Sequence, residues 1–70
     1  GPVARGDAGT VAVHVSELRR HAPGTVDGYL AMARATADRA LASGLLKPEL
    51  AEDLLGVLAK GTDGAEGDVR

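Results

Sequence analysis

Residues 48–61, PELAEDLLGVLAKG, open with a proline and close with a glycine, and this bracket constrains the fold more than any other stretch. Proline suits the first helical position, where its missing N–H has no bond to lose. Glycine suits the position just past the last turn. Glu49, Glu52 and Asp53 lie in the early turns and Lys60 in the last, as a helix dipole favours. At ~3.6 residues per turn, Leu50, Ala51, Leu54, Leu55, Val57 and Leu58 fill an arc of about 160°, wider than the roughly 100° that faces one core. Glu49, Glu52, Asp53, Gly56 and Lys60 share the other side. The spacing predicts a helix over 48–60 whose apolar face is wider than one neighbouring helix needs.

A second helix is expected over 25–43. Thr25 follows the Pro23-Gly24 break and suits an N-cap, Asp27 sits in the first turn, and Gly44 can close the end. Val26, Tyr29, Leu30, Ala33, Ala37, Ala40 and Leu41 form one face, and Gly28, Ala31, Ala35 and Ala42 a second, flat strip. Small side chains allow close helix approach, although alanine also favours helix for its own sake. The connector, GLLK, places Leu45 and Leu46 at the end of the hairpin as plugs.

The preceding segment is ambiguous. VAVHV alternates like a strand, with Val11, Val13 and Val15 on one side, yet Val11, Val15, Leu18 and Ala22 follow helical spacing. A lone strand would leave its backbone groups unpaired, so residues 10–21 are read as a short helix.

These helices must build a core from Leu, Val and Ala. The 70 residues contain no Cys, Trp or Phe, and Tyr29 is the only aromatic. Thiolate metal sites and disulfides are excluded, and so small a core supplies only a few kcal/mol unaided. Residues 1–9 and 61–70 are rich in Gly and charge without apolar periodicity, and are read as flexible tails. Gly1-Pro2 resembles the remnant left when a protease removes a tag. The expected fold is therefore all-α: a small helical hairpin or three-helix unit, residues 10–60, between disordered tails.

Little chemistry is legible. Eight basic and ten acidic side chains give a net charge of −2, which argues against nucleic acid or an anionic membrane as the main partner. No apolar run reaches the length of a membrane span, and a cytoplasmic location is expected. His14 and His21 can share a face, but zinc-binding histidines on a helix usually stand three or four apart, so solvated or capping histidines are the simpler reading. Neither Ser16 nor Ser43 sits in a nucleophile or carrier-protein setting, and GTDGAEG lacks the lysine of a phosphate loop. The turn LRRHAPG hints at a helix-turn-helix, with Arg5, Arg19, Arg20, Arg34 and Arg39 as phosphate contacts. The following helix, however, has no Asn, Gln or Lys to read bases. No catalytic residue, metal or cofactor is expected.

In size, helix pattern and Gly-rich ends, GTVDGYLAMARATADRALASG and LLKPELAEDLLGVLAKG resemble docking domains of modular polyketide synthases and hybrid peptide synthetases. The four-helix type of trans-acyltransferase systems is the nearest. The resemblance implies a non-catalytic module that joins consecutive subunits by completing a helical bundle with the cognate terminus of another subunit. The expected place is the C-terminal end of an upstream subunit. On this reading Leu50, Leu54, Leu55 and Leu58 meet the partner, and Glu49, Glu52 and Asp53, with Arg34 and Arg39, select it. A homodimer is left open. A second resemblance is to carboxymuconolactone decarboxylase-like proteins, through LRRHAPGTVDGYLAMARA followed by GLLKPELAEDLL. It implies a truncated or accessory subunit, since the Cys-x-x-Cys pair of that family's redox members has no counterpart here.

Overall fold

A computed structural model describes residues 1–67, with side chains through Gly61. It is all-α. Helix α1 spans Pro2–Arg5, α2 Ala8–His21, α3 Val26–Ala42 and α4 Pro48–Gly67, with a 3-10 turn at Pro23–Thr25. Arg34 near the middle of α3 reaches Leu58 on α4, and Ala40 near the end of α3 meets Leu46 just before α4, so these helices run antiparallel. Gly6, before α2, lies against Leu50, and Arg19 near the end of α2 reaches Gly61, so α2 and α4 run parallel. The result is a three-helix bundle with α1 laid against the α3 end opposite its N-terminus.

The helical reading of residues 10–21 holds, and the alternating pattern fails. Val11 and Val15 are buried, while Val13 is 59% exposed. Helix α2 starts earlier than expected because Asp7 caps it. The Asp7 carboxylate accepts the Thr10 amide at 3.1 Å and the Thr10 hydroxyl at 2.8 Å, satisfying an N–H that the first turn leaves without a partner. Just before it, Gly6 takes a left-handed conformation, φ 74°, and ends α1.

Residues 1–9, expected as a tail, thus carry a helical turn and a cap. Val3 and Ala4 pack on the core. Gly1 and Pro2 belong to this turn, with the Arg5 amide donating to the Gly1 carbonyl at 3.2 Å.

Thr25 occupies the expected N-cap position of α3 but does not cap it with its side chain. Its hydroxyl instead donates to the Ala22 carbonyl at 2.7 Å, inside the 3-10 turn. At the far end Gly44, φ 83°, provides the expected left-handed close. The chain then folds back, the Leu46 amide donating to the Ala40 carbonyl at 3.0 Å. This bond carries Leu46 into the core and turns Leu45 outward, 78% exposed, so only one of the two leucines plugs the bundle.

Helix α4 begins at Pro48 as expected, with the Ala51 amide bonded to the Lys47 carbonyl at 2.9 Å. It does not stop at Gly61. Positive φ occurs only at Gly6 and Gly44 among the described residues, and α4 continues to Gly67. Gly61 is buried against Leu30 and Val15, so packing holds it in helical geometry instead of letting it turn the chain. Of the expected tail at 61–70, residues 61–67 are therefore helical, and 68–70 lie outside the described residues.

Val11 and Val15 of α2, Val26, Leu30, Ala33, Ala37 and Ala40 of α3, Leu46, and Ala51, Leu54 and Leu58 of α4 make the core. The alanines keep α3 close to its neighbours, while leucines from α4 and the connector supply the bulk.

Candidate functional site

The broad apolar arc of α4 is consumed inside the chain. Leu54 and Leu58 have no exposed surface, and Leu55 is half-buried against the core. Leu54 and Leu58 were expected to meet a partner. They instead sit between α2 and α3, because a helix packed on both sides fills the arc that a two-helix hairpin would have left open. Leu50 alone of the four remains substantially exposed, at 41%, beside Gly6.

The expected charged set is exposed. Glu52 and Asp53 line a shallow depression on the outer face of α4, with Gly56, Val57, Ala59 and Lys60. Glu49 is exposed one turn earlier. Arg34 lies on α3 with its guanidinium 3.5 Å from the Leu58 carbonyl, where it braces the α3–α4 interface. Arg39 lines a different groove, between α1 and α3, with Ala4, Thr36, Ala40, Ser43 and Leu45. Arg39 thus lines a groove without the acids, and Glu52 and Asp53 a depression without the arginines. The flat strip Gly28, Ala31, Ala35 and Ala42 is exposed; a Cβ added to Gly28 would touch nothing within 4 Å among the described residues.

Two grooves between helices were not anticipated. The first, about 340 Å³, lies between the parallel helices α2 and α4, with Ala12, Val15, Val57 and Gly61 as its floor and Ser16, Arg19 and Lys60 on its rim. The Arg19 guanidinium donates to the Gly61 carbonyl, which tethers the cation across the groove. Val57 is legible as part of the apolar arc, and Arg19 only as one of the cations near the LRRHAPG turn. Their meeting is not, because it depends on which face of α2 turns toward α4.

The second groove, about 470 Å³, separates α2 from α3 and is lined by His14, Glu17, Leu18, His21 and Tyr29. The two histidines do share a face. Glu17 lies 3.5 Å from both Arg20 and His21. The Tyr29 hydroxyl is buried without a hydrogen-bond partner among the described residues, and this burial raises the pKa of the phenol. No group of three or more His, Cys, Asp or Glu side chains is placed to hold a metal ion among the described residues. None of the described helices is long and apolar enough to cross a membrane.

No family model matches the chain, and neither a curated protein nor a solved structure matches it.

Proposed function

We propose that this chain is a non-catalytic docking module that joins consecutive subunits of a multi-enzyme synthase through a helical-bundle interface. The observation that carries the reading is the α2–α4 groove, an apolar floor of Ala12, Val15 and Val57 running between two parallel helices under a charged rim. A further helix laid along such a groove completes a four-helix arrangement by ridges-into-grooves packing. The resemblance in size and helix pattern to synthase docking domains points the same way. The interface differs from the leucine stripe expected from sequence, since Leu54 and Leu58 already serve the core. A groove this small implies a transient contact, with dissociation constants on the order of micromolar.

Titration calorimetry of the folded chain against terminal segments of the synthase subunits encoded alongside it tests the reading. Saturable binding of one terminus and not of the others is the expected result. Absence of binding to every terminus overturns the docking role.

A further inference from the structure

We infer that the α2–α4 groove is built to seat an acidic amphipathic helix, one that presents an aliphatic side chain flanked by carboxylates. This rests on the docking reading above and specifies the partner's chemistry. Among the described residues the groove is lined by two charged side chains, Arg19 from α2 and Lys60 from α4, and both are cationic. Arg19 springs from one wall and Lys60 from the other, beside an apolar floor, in a protein whose net charge is −2, so the described lining departs in sign from the chain as a whole.

Arg19 is held in place. One of its five N–H donors is spent on the Gly61 carbonyl, and the rest of the fork can meet an incoming carboxylate. The Ser16 hydroxyl adds a neutral hydrogen-bonding group on the same wall as Arg19. Beyond Lys60, the depression that shares Val57 and Lys60 with the groove carries Glu52 and Asp53. Those two acids repel carboxylates on the outer side of α4, so an acidic helix is steered toward Arg19 and its orientation is set.

A second copy of this chain is a poorer occupant. Its one strongly acidic apolar helix, α4, already has Leu54 and Leu58 buried in its own core.

The probe is a synthetic helical peptide with leucines at i and i+4 and glutamates at i+3 and i+7, tested beside a twin with lysine for each glutamate. Backbone amide shifts of the full chain are followed during titration. The acidic peptide is expected to move Ala12, Ser16, Val57 and Lys60, and to bind about tenfold more tightly than the twin. Lys60→Glu and Arg19→Gln should each reduce that preference at least several-fold. Lys60 is exposed, so its variant remains informative even if Arg19→Gln loosens the bundle. Equal binding of both peptides, shifts confined to another face, or self-association that moves the groove amides overturns the assignment. A synthase terminus that binds away from this groove leaves the docking role standing and removes this one. Groove binding of the acidic peptide with no terminus recognised does the reverse.

Discussion

Leu30 and Gly61 meet so closely across the α3–α4 interface that a Cβ on the glycine would stand 3.2 Å from Leu30 Cδ2, and 3.4 Å from Val15 Cγ1. Gly56, one and a half turns earlier on the outer face, has nothing within 4 Å. Both lie inside α4, where alanine is worth about 1 kcal/mol more than glycine. Gly56→Ala is therefore expected to raise stability by about 0.5–1 kcal/mol. Gly61→Ala should recover little of that gain, because Leu30 must shift by a few tenths of an ångström. Gly61→Leu should cost about 1–3 kcal/mol by overpacking. Urea denaturation followed by circular dichroism separates the three.

Gly6 makes the sharper prediction. At φ 74° a side chain is strained, and a Cβ there would lie 2.6 Å from Leu46 Cδ1 and 2.8 Å from Leu50 Cβ. The second neighbour is fixed to the α4 backbone and cannot swing away. Gly6→Ala should lose about 2–4 kcal/mol, combining left-handed strain with overpacking. A melting temperature equal to that of the parent would show that residues 1–9 do not pack on the bundle.

Substituting leucines should separate a core position from a surface one. Leu54→Ala removes a side chain with no exposed surface and should cost about 2–5 kcal/mol, enough to unfold much of so small a domain. Leu54→Glu would unfold it outright, so loss of binding by that variant reports on the core. Leu45→Ala should change stability by less than about 0.5 kcal/mol, the side chain being 78% exposed. Thermal melts of the two alanine variants check the contrast.

Acid should loosen the start of α2. The Thr10 hydroxyl and then the Thr10 amide lower the pKa of Asp7 from its usual 3.8, against a smaller opposing effect of desolvation, with Arg5 and His14 assisting. The folded state therefore holds its proton less tightly than the unfolded state. The cap's contribution is complete above the unfolded value and is lost as pH falls through the lower folded one. Asp7→Asn keeps an acceptor oxygen but does not titrate, so its melting temperature should fall less steeply with acid than that of the parent. Parallel slopes would remove Asp7 as a source of acid sensitivity.

The sequence by itself determined the class of fold and most helix boundaries, because those depend on local chemistry. Pro48 can begin a helix and cannot continue one in its interior, Gly44 can adopt the left-handed turn, and alanine and leucine at helical spacing favour little else. The Asp7–Thr10 cap is equally local, a carboxylate three residues before a hydroxyl, but the glycine and charge around it have the composition of a tail. Tertiary structure decided the surface. Whether a leucine is core or interface depends on how many neighbours surround its helix. Packing α2 beside α3 against the apolar arc of α4 turned Leu54 and Leu58 inward. It also held Gly61 in the helix and brought Arg19 and Lys60 to face each other across a groove. Residues 42 apart in sequence, such as Arg19 and Gly61, carry no mutual signal along the chain. Only the parallel run of two helices makes them neighbours.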